Sequence, residues 1–392
     1  MTNQTSALAE IQAKAPSALL DRAALAHAVA LVASVVERKY TIPILANLLL
    51  QGDGAGLSVR GTDLDIEITA RIDGAADSDF STTIPAHLLK DILGKAKASD
   101  MAAIDLPDEG RVDIDLGGIK FKLQSLPVID FPDMAAPVEA CSYAIAAPDL
   151  IKGFDRVSFA ISTDETRYYL NGAYMHFVAT PEGNFLRMVA TDGRRLATFS
   201  LPAMAIPADL RALIVPRKTI KAVLSVYAAM KKAKRAPDVI QVDAGKEKIC
   251  FTLGDVRILS KVIDGTFPDY ERCIPRDPTP RGSMNVKAFD SAVEQVQLIS
   301  QERGSAVRLT FSDWVCRFEV NNPGSGSSEA SIPNYYCGVP LEAGFNSRYL
   351  RDLMAEIEAD EFTIAMNDAG CPAVILDPSE PRFMAVLMAT RV

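Results

Sequence analysis

The sequence predicts an α+β chain of three similar units, each holding two helices and antiparallel sheets. Two landmarks recurring at one step carry this prediction, together with a hydrophobic pattern that switches between two periods. Ile84-Pro85 opens the run IPAHLLKDIL, Val215-Pro216 opens VPRKTIKAVL and Phe345-Asn346 opens FNSRYLRDLM, each about 130 residues after the last. Thr62-Asp63, Thr191-Asp192 and Asn321-Asn322 keep the same step of roughly 130 residues. Self-similarity at a fixed spacing is the mark of a repeated supersecondary unit.

An earlier helix in each unit is predicted by apolar residues at i, i+4 and i+7. These are Leu25, Val29, Val32 and Val36 in the first unit, Leu150, Phe154, Val157 and Ile161 in the second, and Phe289, Val293 and Val296 in the third. A later helix follows in each, with apolar faces at Leu88, Leu89 and Ile92, at Ile220, Val223, Leu224 and Tyr227, and at Leu350, Leu353, Met354 and Ile357. Between the helices the period falls to two, as in Ile66-Glu67-Ile68 and from Val112 to Leu116, which is the pattern of a half-buried antiparallel strand. Gly52-Asp53-Gly54, Gly117-Gly118, Asp243-Ala244-Gly245 and Asp368-Ala369-Gly370 tolerate positive φ where strands reverse. Two connectors, Leu126 to Met134 and Val262 to Tyr270, share a Phe-Pro-Asp core. Pro132 and Pro268 in them cannot donate to a ladder and force extended backbone before them. The connectors divide the chain into a polar N-terminal tail, 1–15, and units at 16–140, 141–277 and 278–392.

Composition narrows the function. The chain has 392 residues, 48% of them hydrophobic and 23% charged, enough to build large globular cores. Its six cysteines (Cys141, Cys250, Cys273, Cys316, Cys337 and Cys371) form no CxxC pair, which points to a reducing cytoplasm. His27, His87 and His176 lie in no metal-ligand spacing, so neither a metal nor another cofactor is expected. A basic, apolar leader and an 18-residue apolar run are both absent from the sequence, arguing against secretion and membrane spanning. No GxxxxGK[ST] loop exists, and Asp63, Asp65, Asp113 and Asp115 alternate as exposed strand positions. Catalytic residues are therefore not expected.

A formal charge of −9 predicts that the protein as a whole repels phosphate. One stretch opposes that average. Arg217, Lys218, Lys221, Lys231, Lys232, Lys234 and Arg235 occur with no acidic residue between 211 and 237. Lys218 and Lys221 lie opposite the apolar stripe, where they could face a phosphate backbone. The plainer alternative is a solvated helix face. Lys90, Lys95 and Lys97 in unit one and Lys152 and Arg156 in unit two are expected to extend the stripe. Unit three dilutes it, since Arg348 and Arg351 share their helix with Asp352, Glu356 and Glu358.

Seven runs, in order, resemble the β subunit family of DNA polymerase III, the bacterial sliding clamps. They are the segments Thr41 to Leu50, Gly61 to Leu64, Arg167 to Gly172, Ala190 to Ala197, Val215 to Lys218, Phe267 to Tyr270 and Gly344 to Asn346. The resemblance implies three DNA-clamp domains and a head-to-tail homodimer whose six domains ring double-stranded DNA without reading its sequence. Twelve helices packed at roughly 8 to 10 Å would lie on a circle about 30 to 38 Å across, wide enough for a duplex. It further implies a non-catalytic processivity factor. By resemblance, DNA contacts fall on Arg38, Lys39 and the loop Thr163 to Tyr169, including Arg167. As alternatives, Arg167 caps a strand, and Tyr168 and Tyr169 are core aromatics.

The resemblance also implies an apolar cleft that accepts short Gln- and Leu/Phe-containing peptides from the alpha subunit of DNA polymerase III, the clamp loader and other clamp-binding-motif proteins. Carried over by position, its central-domain residues are Leu170, Thr191, Gly193, Arg194, Arg195 and Leu196, followed by Pro268, Arg272 and Cys273. The third domain adds Asn346, Tyr349 and Pro372, and the C-terminal string adds Val386, Leu387, Met388, Ala389, Thr390 and Arg391. Here the chain departs from the family. A Met-Pro-Met-Arg-Leu-like ending is replaced by Met388-Ala389-Thr390-Arg391-Val392, and Arg194 and Cys273 stand where His and an aliphatic residue are frequent. Each buried methylene lost is worth roughly 0.8 kcal/mol. Partner preference is expected to shift, so a specialised or second-copy clamp and a regulatory clamp-like protein are the alternative readings.

Overall fold

The structure is a computed structural model that describes residues 18–39, 41–73, 79–95, 99–203, 210–300, 306–336 and 339–391. The N-terminal tail 1–15, Lys97 and Cys337 lie outside the described residues. The three predicted repeats each contain eight strands and two α-helices among the described residues. The first runs β1 (Ala18–Asp21), α1 (Arg22–Val32), β2 (Asn47–Asp53), β3 (Gly56–Thr62), β4 (Ile66–Asp73), β5 (Phe80–Pro85), α2 (Ala86–Lys95), β6 (Met101–Asp105), β7 (Arg111–Leu116) and β8 (Ile119–Gln124). The second runs β9 (Cys141–Ala146), α3 (Ala147–Ser158), β10 (Gly172–Thr180), β11 (Gly183–Thr191), β12 (Arg195–Pro202), β13 (Leu213–Pro216), α4 (Arg217–Lys232), β14 (Val239–Ala244), β15 (Lys248–Leu253) and β16 (Val256–Lys261). The third runs β17 (Pro280–Asn285), α5 (Val286–Val296), β18 (Ala306–Ser312), β19 (Val315–Asn322), β20 (Gly326–Pro333), β21 (Leu341–Asn346), α6 (Ser347–Met354), β22 (Glu361–Ala365), β23 (Ala373–Leu376) and β24 (Phe383–Leu387).

The chain forms two compact units, one of residues up to Val138 with Ser225–Asp243 and Lys248–Lys261, the other of the remainder. In the first, a four-stranded sheet is ordered β1-β6-β7-β8, and a longer one runs β5-β2-β3-β4-β16-β15-β14. In the second, eight strands run β13-β10-β11-β12-β24-β23-β22-β17 beside a four-stranded sheet β20-β19-β18-β21. The same joint occurs in both units. The eighth strand of one repeat pairs antiparallel with the fourth strand of the repeat before it, β16 on β4 with Ile258 opposite Ile68, and β24 on β12 with Val386 opposite Leu196.

Helix positions follow the predicted periods with local corrections. Asp21 caps α1 by accepting the Ala24 N–H at 2.7 Å, and Asn285 caps α5 by accepting the Ala288 N–H at 3.0 Å. Val36 and Ile161 are buried but lie past the ends of α1 and α3. Gly153 lets α3 approach β11, because a Cβ there would sit 2.8 Å from the Met188 sulfur. Phe289 on α5 packs edge-on against Phe318 and Phe362, both 5.0 Å away between ring centroids. Leu88, read as part of the α2 face, is exposed, and the buried stripe is Leu89, Ile92 and Leu93. On α4 the stripe is Ile220, Val223, Val226 and Met230, with Leu224 and Tyr227 only half-buried on its flank.

Glu67 is the clearest departure from the strand pattern. Alternation predicts an outward carboxylate, yet Glu67 is buried, 3.8 Å from Arg60. Burial pushes its carboxyl above the usual range and the Arg60 charge pulls it back. No helix among the described residues is long and apolar enough to cross a membrane.

Candidate functional site

The Thr-Asp landmark is a turn built by hydrogen bonds. The Thr191 hydroxyl donates to Arg195 O at 2.6 Å and accepts the Gly193 N–H at 3.0 Å, while the Asp192 carboxylate accepts the N–H groups of Arg194 (2.9 Å) and Arg195 (3.0 Å). Repeat one makes the same turn. Thr62 donates to Ile66 O at 2.9 Å and accepts the Leu64 N–H at 3.0 Å, and Asp63 accepts from Asp65 and Ile66. Asp63 and Asp65 therefore belong to the turn rather than to an alternating strand. The third position of the turn is left-handed, φ +87° at Gly193 and +80° at Leu64, a conformation that suits glycine and strains leucine.

This turn aims Arg195. Its Nε meets Asp192 at 3.0 Å and its Nη1 donates to Asp352 at 2.6 Å, with the guanidinium 4.6 Å from the Tyr349 ring centroid and 5.3 Å from that of Phe159. A cation held over two rings and between two carboxylates is well fixed. Asn346 begins α6 by accepting the N–H groups of Arg348 and Tyr349 at 3.0 and 3.2 Å, so Arg195, Asn346 and Tyr349 share one corner of the molecule.

Beside that corner lies an apolar floor. Leu170, Leu196 and Val386 form one buried cluster with Val189, Ile214, Phe267, Tyr270 and Val374, and Tyr169, Tyr174, Ile263, Ile274 and Met384 pack half-buried against it. The C-terminal string is hydrogen-bonded in place, Met388 N–H to Arg194 O at 2.9 Å and Thr390 N–H to Gly344 O at 2.8 Å. Met388 is 40% exposed at the rim. Gly193, Arg194, Pro268, Arg272, Cys273 and Arg391 are exposed, and Pro372, Ala389 and Thr390 are half-buried. Leu387 is buried and, by strand alternation, lies on the sheet face opposite Val386.

Sequence reasoning missed the ring system under this floor. Tyr174 stacks on Phe267 with centroids 4.8 Å apart, and the His176 Nε2 lies 3.0 Å from the Tyr270 hydroxyl. The signal was present in the alternation of Tyr174 and His176 along β10 and in the Phe-Pro-Asp-Tyr connector.

The predicted basic surface divides sharply. Arg38 and Lys39 are exposed in the segment after α1, Lys90 and Lys95 are exposed on α2, and Arg217, Lys218, Lys221, Lys231, Lys232, Lys234 and Arg235 are exposed on and after α4. Arg235 is 2.9 Å from Asp255. Arg167 is half exposed and its Nε donates to Asp164 at 2.9 Å. The Thr166 hydroxyl and then Arg167 hold the Asp164 carboxyl down to about 2.

Lys152 and Arg156 do not extend the stripe. Lys152 Nζ lies 2.7 Å from Glu380 and 2.9 Å from Glu358. Arg156 is 3% exposed, 2.8 Å from Glu358, 3.6 Å from Asp377 and 5.3 Å from the Phe383 ring centroid. These are charge contacts outside hydrogen-bond geometry, and Nη1 and Nη2 lack a hydrogen-bond partner. A guanidinium buried among carboxylates cannot meet a DNA phosphate. The Arg382 guanidinium, and after it the Lys152 ammonium, hold the Glu380 carboxyl down to about 2.

Three family models match the chain, all describing the beta subunit of DNA polymerase III: its N-terminal domain at residues 18–135, its central domain at 144–269 and its C-terminal domain at 271–391. The beta sliding clamp of Caulobacter vibrioides is 38% identical over 374 residues, covering 95% of this chain and 99% of the relative, and that of Pseudomonas aeruginosa is 32% identical with the same coverage. Among solved structures, a DnaN sliding clamp from Bartonella birtlesii bound to griselimycin matches with a TM-score of 0.90 at 37% identity, over 96% of this chain and 99% of that one. The DNA polymerase sliding clamp of Caulobacter crescentus matches at 0.88 and 38% identity, with the same coverage. With all three domains matched in order, the chain belongs to the family of DNA polymerase III beta subunits, and its function is that of a DNA sliding clamp.

Proposed function

We propose that two copies close head to tail into a six-domain ring around duplex DNA and tether the replicative polymerase, without catalysing a reaction. One observation carries the reading. The joint made by β4 with β16 and again by β12 with β24 has a third equivalent, β20 with β8, and both β20 and β8 are the outermost strands of their four-stranded sheets. A second copy satisfies both edges at once, its β8 on this β20 and its β20 on this β8. Lys120 and Lys122 on β8 and Glu329 on β20 are of suitable sign. The domains are proposed at 16–140, 141–277 and 278–392, with β9 opening at Cys141 and β17 at Pro280 in support.

Arg38, Lys39, Arg167, Lys218 and Lys221 are assigned to weak phosphate contacts that slide without reading bases. The cleft is assigned to peptides from the alpha subunit of DNA polymerase III, the clamp loader and other clamp-binding-motif proteins, with Leu and Phe anchors on the apolar floor. Among the described residues, Cys141, Cys250, Cys273, Cys316 and Cys371 are in no disulfide, in keeping with a cytoplasmic protein. A specialised clamp with altered partner preference is the second reading, favoured by Ala389 and Thr390 standing where the family usually has Pro and Met.

Sedimentation at micromolar concentration is expected to give a species near twice 42.3 kDa, and a strict monomer overturns the ring. Deleting Met388 to Val392 is expected to abolish binding of a peptide copying the C-terminus of the polymerase's alpha subunit, with the dimer intact. Unchanged affinity by calorimetry overturns the cleft.

A further inference from the structure

We propose that His176 is a positioning residue for the peptide cleft, acting through the Tyr270 hydroxyl; the inference rests on the assignment of the cleft to partner peptides. Strand β10 has two unlike faces. Ala173 and Met175 are buried on one, while Tyr174 and His176 point from the other, where the connector from Val262 to Tyr270 crosses the sheet. Ile263 N–H donates to Ile214 O at 3.0 Å at the start of this crossing. Beyond that point, among the described residues, side chains seat it. Phe267 lies nearly parallel to Tyr174 (3°, 4.8 Å), His176 stacks on Tyr174 in turn (25°, 4.6 Å), and Tyr270 meets His176 edge-on at 5.7 Å.

The polar ends of these rings form a directed chain. Arg187 has only donors. Its Nε donates to the Ser200 hydroxyl at 3.1 Å and its Nη1 to the Tyr270 oxygen at 3.4 Å. Tyr270 accepts from Arg187, and its own proton is placed to be donated to His176 Nε2 at 3.0 Å. This requires a neutral imidazole carrying its proton on Nδ1. Burial first, and then the Arg187 charge, lower the His176 pKa to about 4, which keeps the ring neutral at working pH.

His176 is not a member of the apolar cluster, but Phe267 and Tyr270 are, alongside Leu170, Leu196 and Val386. The same connector carries Pro268, and Arg272 and Cys273 follow it directly. Fixing the Tyr270 hydroxyl therefore fixes one wall of the cleft from behind. Without an acceptor at position 176, the connector keeps its apolar contacts but loses the bond that sets its rotation.

The test uses the full-length dimer and a fluorescent peptide copying the C-terminus of the host polymerase's alpha subunit. His176→Leu and Tyr270→Phe are each expected to weaken binding roughly five- to tenfold, with the thermal midpoint and the dimer unchanged. The double variant is expected to bind no more weakly than either single one. His176→Gln, which restores an acceptor, is expected to bind within about twofold of wild type. Additive losses in the double variant, a Gln variant as weak as the Leu variant, or unchanged affinity in His176→Leu each overturn the proposal. The 388–392 deletion separates the two ideas: if it abolishes binding while His176→Leu does not, only the positioning role fails, and if it leaves binding intact, the cleft assignment fails and takes this role with it.

Discussion

On α3, Lys152 and Arg156 end among Glu358, Asp377 and Glu380; on α4, Lys218 and Lys221 end at the surface. Both pairs lie on helices that occupy different places in the same repeat, and both carry the charge expected of a DNA-facing stripe. What differs is the neighbour. The C-terminal repeat supplies three carboxylates to α3, so its cations bind protein and stiffen the joint between repeats two and three. No acid occurs between residues 211 and 237 in the sequence, and Lys218 and Lys221 are exposed on α4, whereas Arg156 is buried on α3. Net charge on a helix is thus a poor guide to what the helix binds until its counter-ions are known.

The largest effect should come from breaking the buried side of this comparison. Arg156→Ala leaves Asp377 buried without its cation and is expected to cost about 3 to 5 kcal/mol, measured by chemical denaturation; a loss below roughly 1 kcal/mol would mean that α3 is no more committed than a surface helix. The exposed side is reversed by Lys218→Glu with Lys221→Glu. The double variant should shorten retention on closed circular DNA and flatten the log–log salt dependence by roughly 2, and equal retention at low salt would show that α4 does not face the duplex.

A smaller effect sharpens the comparison through pH. Burial, then Asp155, raise the Glu356 carboxyl to about 7. A carboxyl whose pKa is raised in the folded state carries no penalty while protonated, and destabilises increasingly as pH rises from its unfolded value near 4.5 through 7. Glu356→Gln is therefore expected to raise the melting temperature by roughly 2 to 4 °C at about pH 8 and to change it little near pH 5. The opposite pattern would mean that Glu356 is ionised and satisfied beside Arg156.

Most of the fold was legible because it is written locally. Two helices per repeat, the Gly and Asp hairpins and the Phe-Pro-Asp connectors depend on residues within a few positions of one another. The failures share a longer reach. Glu67 reads as an outward strand residue, and only the position of Arg60 and the connector shows it to be enclosed. Lys152 reads as a surface cation because Glu358 is 206 positions away. At the site, Leu170, Leu196 and Val386 were legible through family resemblance, whereas His176 was not, since its role depends on a tyrosine 94 residues later.

The repeated joint of β12 with β24 has a consequence for assembly number. Head-to-tail edges close only when the turn between successive repeats has the right angle; otherwise they add copies without limit. The cations of α3 lie at one such joint and bind the segment that leads into β24. A chain loosened there keeps its sticky ends, β8 and β20, but loses the angle that lets two copies satisfy each other. Under the proposed ring, such a chain is expected to form open head-to-tail assemblies in place of closed pairs, so the contacts around Arg156 bear on how many copies assemble.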